Sequence, residues 1–468
     1  MSIKIFRRIN PFSLGFNSLL LALVAIFPYF LNIFMQTFFA RSLSVEEIGV
    51  FALVNFFILF VLATSDWFVD RYIVASRDIS EETINEAFTF ELIFSLAIYL
   101  ILFVFLKDFI DRLLGLDNPV LFWSLVIFVF FYKPLSRTKS LLEKKLLFFP
   151  AYLPALIGNF IGGVLGILFL LKGFGLWSMI IWKISTLFSE VIFLYFFSSQ
   201  RLKINFQFKK LSSYISFCYP IFIGSLLSFF TVTADIWIVN ALLSSKDLGY
   251  YWLAFSYSHF LLALRGLLNR VLLPALSELS SLEEKNKLFL EVNQYLQAFL
   301  IFGTTFAIFW AEPAFNLILG EKWSESILLF QILFFSASIK FISGIAGPLL
   351  HSVMNTRVDL SVSLFNLFFL LPMLVGLVFY YGTLGAAISV LISSIAVFLY
   401  IFKVHIEKLT GLGWFRYVSK YLLGSFGMLM SYYLLRESIS ELSLGLLGTV
   451  IGIILMFYSL YDKKINES

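Results

Sequence analysis

Two short stretches decide how this chain folds: Leu43-Ser44-Val45-Glu46-Glu47-Ile48-Gly49-Val50-Phe51, and, 200 residues on, Leu243-Ser244-Ser245-Lys246-Asp247-Leu248-Gly249-Tyr250-Tyr251. Each is an acidic, apolar and glycine-bearing turn where one long apolar run gives way to the next. A second pair agrees: Gly175-Leu176-Trp177 and Gly385-Ala386-Ala387 each open an apolar run, 210 residues apart. Recurrence at a fixed offset is the mark of an internal repeat.

Working outward from these turns, a membrane-spanning helix needs about 20 predominantly apolar residues. The runs that satisfy this lie near 13–40, 48–69, 87–107, 119–136, 149–171, 175–197, 214–240, 248–275, 289–311, 327–352, 360–381, 384–404, 418–435 and 442–461. The repeat therefore predicts an all-α polytopic membrane protein of about 14 transmembrane helices: a six-helix lobe over 1–200, a linker at 201–213, a second six-helix lobe over 214–408, and two additional helices over 409–468. Six spans per lobe is an even number, so the lobes share one orientation and relate by a pseudo-symmetry axis along the membrane normal.

Composition agrees. The chain is 60% apolar and 13% charged, and its 59 Phe exceed what a globular interior needs; ordinary soluble domains carry roughly 25% charged residues. With Cys218 alone there is no intrachain disulfide, and His259, His351 and His405 show no metal-ligand spacing. The chain lacks a G-x-x-x-x-G-K-[ST] phosphate loop and a soluble domain able to hold a nucleotide, so no ATP-driven step is expected; no cofactor and no nucleic-acid partner are expected either. The longest outer loop expected, 312–326, is short for a lipid-linked glycosyltransferase or polymerase, which argues against an enzyme. Lys4, Arg7 and Arg8 precede an apolar stretch with no small-residue cleavage site, as expected of a retained first helix. Most Lys and Arg fall in alternate loops on the side of the N-terminus, among them Arg137, Lys139, Lys144, Lys145, Arg201, Lys203, Lys209 and Lys210. The positive-inside rule then places both termini in the cytoplasm.

The two repeated turns, together with Gly173-Phe174-Gly175-Leu176-Trp177, Pro274-Ala275-Leu276-Ser277 and Leu319-Gly320-Glu321-Lys322-Trp323, resemble the polysaccharide-transporter branch of the multidrug/oligosaccharidyl-lipid/polysaccharide exporter superfamily, its Wzx-type flippases above all. The resemblance covers about 10–403. It implies two six-helix bundles around a central cavity in the bacterial inner membrane, moving undecaprenyl-diphosphate-linked oligosaccharide, such as an O-antigen repeat unit, from the cytoplasmic to the outer leaflet by alternating access. The partners it implies are the lipid-linked anionic oligosaccharide, the bilayer, and polysaccharide polymerase and chain-length machinery. A cation-coupled multidrug exporter of the same fold is the alternative. The first span offers only Asn17, Asn32 and Gln36 as larger polar groups, which departs from both the peptidoglycan-precursor flippases and the proton-coupled drug exporters.

An ionisable side chain near the bilayer centre costs about 2.5–3.5 kcal/mol on insertion scales and marks a partner or a function. Arg265, Arg270, Lys340 and Lys183 are the cations inside predicted spans, and are candidates for binding diphosphate or acidic sugars. Under the repeat, Arg265 falls beside the equivalent of Asp66 and Arg270 is the equivalent of Asp70. That suggests a gate, salt-bridged when closed, whose arginines are freed for phosphate as the lobes part; snorkelling at the boundary is the alternative for Asp70 and Arg270. Glu190 stands two turns beyond Lys183 on the same face and is its candidate partner, Asp235 is either a gate residue or a boundary one, and Glu91 reads as a boundary residue.

Overall fold

Ser44 and Ser244 start their helices in the same way. The Oγ of Ser44 accepts from the Glu47 amide at 3.1 Å while the Glu47 carboxylate accepts from the Ser44 amide at 2.9 Å. Ser244 and Asp247 repeat both bonds at 3.2 Å. Two of the orphan donors at each helix start are thereby satisfied, and the acid in the first turn suits the helix dipole. Five residues past each serine, Gly49 and Gly249 face one another: a Cβ on Gly49 would overlap the Ser245 carbonyl, and one on Gly249 the Val45 carbonyl. The repeat read in the sequence is thus a capped turn followed by a helix-to-helix contact that only glycine fits.

The computed structural model describes residues 11–69, 80–144, 147–198, 202–206, 211–353, 357–410, 432, 434–435 and 440–466. The helices are α1 Pro11–Ser42, α2 Val45–Thr64, α3 Glu81–Phe105, α4 Lys107–Leu114, α5 Pro119–Leu135, α6 Thr138–Lys144, α7 Phe148–Leu171, α8 Leu176–Phe197, α9 Leu211–Leu242, α10 Ser245–Glu278, α11 Leu282–Ile318, α12 Ser324–Ser352, α13 Arg357–Tyr400 and α14 Glu441–Asn466. Helix α13 is two spans in one: Gly382, at φ 59° and ψ −139°, breaks it where the sequence placed the boundary between 360–381 and 384–404. Among the described residues ten helices are long and apolar enough to cross a membrane. The expected span at 418–435 lies almost wholly outside the described residues.

By internal contacts the chain divides into one unit of Met1–Leu43 with Val50–Phe230, and another of Ser44–Gly49 with Thr231–Ser468. In the first, α7 packs on α8 through Gly158, Gly162 and Gly166, one turn apart. Added Cβ atoms there would lie 2.6 Å from the Thr186 carbonyl, 2.8 Å from the Trp182 carbonyl and 2.8 Å from the Trp182 Cβ. In lipid, where apolar surface gains little by meeting apolar surface, such small-residue ridges let backbones close in and gain dispersion contacts. In the second unit α14 offers Gly445, Gly448 and Gly452 to Trp310, Phe309 and Phe302 of α11, and the Trp310 indole donates to Thr449 Oγ1 at 3.0 Å.

Candidate functional site

Two elements of the second unit bring together two of the cations that stood out in the sequence, Arg265 and Lys340. Arg265 projects from α10 across α12 and donates through Nη1 to the Lys340 carbonyl at 2.9 Å. It can lie there because Gly344 has no side chain: a Cβ would come within 2.5 Å of Arg265 Cδ and Nη1. One turn along α10, Asn269 donates through Nδ2 to the Gly344 carbonyl at 3.3 Å. That carbonyl needs an outside donor because the residue four on, Pro348, has no N–H to give it. Proline in α12 and asparagine in α10 therefore fix the seam along which Arg265 lies.

Lys340 and Arg265 are both half-buried and lie within electrostatic range of one another. Among the described residues neither closes an ion pair with a carboxylate. Asp235 of α9 is the acid whose field reaches Lys340. It is 3% exposed, and its oxygens accept from the Tyr251 hydroxyl at 2.7 Å and its neighbour's amide, Ile236 N, at 3.0 Å. His259 donates from Nδ1 to the Phe255 carbonyl at 2.9 Å and stacks on the Phe255 ring, which makes it a packed core group. The arrangement is a cation pair with one already hydrogen-bonded acid nearby, chemistry that favours an anion.

The first unit handles charge differently. Arg137 bonds both oxygens of Glu91, through Nε at 2.6 Å to one and through Nη2 to the other, and also reaches Asp66 at 3.0 Å. Lys133 completes the cluster 2.7 Å from Asp66. Glu190 accepts from the Tyr132 hydroxyl at 2.9 Å and faces Lys139 at 3.9 Å. Asp66, Glu91 and Arg137 are all buried, so this is a charge-balanced network of the kind that fails badly when one member is removed.

Several expectations are corrected by these contacts. Asp66 already has partners in its own unit: α2 ends at Thr64 rather than near 69, and the carboxylate turns onto Lys133 and Arg137. Glu91 is fully buried rather than at a boundary. Glu190 is not the partner of Lys183: its carboxylate turns to Tyr132 and Lys139, and Lys183 instead donates to Asn32 Oδ1 at 3.0 Å. Asp70 and the side chain of Arg270 lie outside the described residues. The sequence reading missed Arg137, which it took for a loop marker, and Asn159, whose position beside Gly158 in the Gly158, Gly162, Gly166 series was the available signal.

Comparisons with known proteins agree with this architecture. A family model described as polysaccharide biosynthesis protein matches residues 38–328. The succinoglycan biosynthesis transport protein ExoT of Rhizobium meliloti (strain 1021) is 22% identical over 307 residues, 64% of this chain; the chain spans only 61% of that relative's length. Among solved structures, the lipid II flippase MurJ in an inward closed conformation is similar with a TM-score of 0.72 at 19% identity, over 96% of this chain and 100% of that one. An inward-facing multidrug resistance MATE family transporter of the MOP superfamily is similar with a TM-score of 0.60 at 14% identity, over 83% and 96%. At these identities the likeness is one of fold.

Proposed function

The chain belongs to the polysaccharide biosynthesis protein family, and from that premise we propose that it is a flippase that carries a lipid-linked anionic oligosaccharide from the cytoplasmic to the outer leaflet of a bacterial inner membrane, with both of its own termini cytoplasmic. The role of ExoT as a succinoglycan biosynthesis transport protein and the likeness to the lipid II flippase MurJ support a polysaccharide precursor as cargo. The carrier lipid would stay in the bilayer while the saccharide and its diphosphate cross by alternating access.

The observation that carries the reading is the pair Arg265 and Lys340: two cations on apolar helices of the second unit, neither in an ion pair among the described residues. A planar guanidinium binds phosphate oxygens bidentately, and an ammonium adds a point charge beside it. An exporter of cationic drugs would instead need an acid open to its ligand, whereas Asp235 and Asp66 are both engaged. The energy source in this reading is electrical: a dianion moving outward from a negative cytoplasm gains about 4–5 kcal/mol per 100 mV if its charge crosses uncompensated.

The test is surface-glycan display in a flippase-deficient host that makes the matching glycan, comparing wild type, Arg265→Ala and Lys340→Ala at equal membrane abundance. Restoration by wild type and its loss in both variants is expected; failure of wild type against a panel of lipid-linked glycans, with drug efflux in its place, would overturn the reading.

A further inference from the structure

Lys183 is a cation inside a spanning helix of the first unit that stands outside the ionic network. Lys183 sits seven residues into α8, about 10 Å from the helix start at 1.5 Å per residue, on a helix apolar enough to span the bilayer. A lysine so placed commonly runs its chain toward the interface. This one turns sideways: its ammonium donates to Asn32 Oδ1 at 3.0 Å and lies 4.4 Å from the ring centroid of Trp182. Among the described residues no carboxylate pairs with it.

The amides behind it are fixed in direction. Asn159 donates to the Ala155 carbonyl at 2.8 Å, which turns its Oδ1 toward Asn32. Asn32 spends both amide protons, one on Asn159 Oδ1 at 2.9 Å and one on the Pro28 carbonyl at 2.8 Å, and so presents its oxygen to Lys183. Each amide oxygen, Asn159 Oδ1 and Asn32 Oδ1, thereby accepts one bond and is turned toward its donor. Among the described residues, two N–H groups of the ammonium and one of Asn159 have no acceptor, and no carboxylate pairs with the positive charge. The three helices that carry them are held rigidly: Gly162 and Gly166 lock α7 to α8, and Gly163 rests on Met35 of α1.

We propose that Lys183 and Asn159, held by Asn32, form a second binding station, within the first unit, for an oxyanion of the transported saccharide: a sugar carboxylate or a phosphate oxygen. A site whose outward groups are mainly N–H donors and whose net charge is positive favours a ligand that accepts and is negative, so it confers a preference for acidic over neutral units. The proposal rests on the reading of the chain as a carrier of anionic saccharides, yet its test does not depend on transport.

The full chain in nanodiscs is titrated with glucuronate, glucose and inorganic pyrophosphate, followed by intrinsic tryptophan fluorescence, for wild type, Lys183→Gln, Lys183→Arg, Asn159→Asp and the double variant Arg265→Gln/Lys340→Gln. We expect at least tenfold tighter binding of one oxyanion than of glucose. That margin is lost in Lys183→Gln and Asn159→Asp, and kept in Lys183→Arg and in the double variant. Glucuronate as the anion that Lys183→Gln loses assigns the station to an acidic sugar; pyrophosphate assigns it to the diphosphate. Unchanged binding of both anions by Lys183→Gln, or equal loss in Lys183→Arg, would overturn the station while leaving the pair in the second unit untouched. Loss of all anion binding in the double variant alone would overturn the station too, and uphold the other reading.

Discussion

Arg265 and Gly344 are a matched pair: the guanidinium stem occupies the space that any Cβ at 344 would fill, with Cδ, Nη1 and Cζ within 2.5–2.9 Å of that point. The small residue on α12 is what lets an arginine on α10 lie along the helix next to Lys340 instead of being expelled from it.

Gly344→Ala is therefore expected to abolish transport nearly as fully as Arg265→Ala does, at normal membrane abundance. In the Arg265→Ala background the same alanine is expected to cost nothing further. Glycan display by the two single variants and the double variant checks this, non-additivity being the signature of a shared mechanism.

Asn269 and Pro348 are coupled through one carbonyl. Asn269→Leu leaves the Gly344 carbonyl without a donor, at a cost of about 1–3 kcal/mol. Pro348→Ala supplies an intrahelical N–H for that carbonyl, so Asn269→Leu is expected to be milder in a Pro348→Ala background. Thermal unfolding of the purified chain measures both.

Arg137 pairs with Glu91 and shares Asp66 with Lys133. Arg137→Met is expected to destabilise the first unit by about 3–5 kcal/mol, the usual cost of stranding a buried charge, and to be read as lost membrane abundance. Adding Glu91→Leu, which removes the stranded acid, is expected to recover part of the loss. Lys139→Met, at an ion pair of 3.9 Å with an accessible lysine, is expected to change abundance little.

Gly162→Leu is expected to prevent folding, because its first side-chain atom already overlaps Thr186 Oγ1 and comes within 2.8 Å of the Trp182 carbonyl. Gly224→Leu, with open space around its Cβ position, is the control and is expected to accumulate normally.

The sequence made the fold legible because a bilayer imposes simple requirements: runs of about 20 apolar residues, and polar turns between them that cap helices. Ser44 to Gly49 and Ser244 to Gly249 carried the repeat because capping and close packing use the same residues twice. The site was less legible. Periodicity placed Lys183, Glu190, Arg265 and Lys340 inside spans, but which side chains meet depends on where helices end and cross. Asp66 moved to other partners because α2 stops at Thr64. Arg137 and Glu91, 46 residues apart, found each other through tertiary packing that no local pattern records.

The central claim is that Arg265 and Lys340 carry an anionic lipid-linked saccharide across the membrane. Its most direct measurement is the leaflet accessibility of a lipid-linked oligosaccharide in proteoliposomes holding the purified chain, with and without an imposed potential. The account predicts transfer by the wild type, faster when the destination side is positive, and a loss of at least tenfold in Arg265→Ala and Lys340→Ala. Transfer that is indifferent to both substitutions would contradict it.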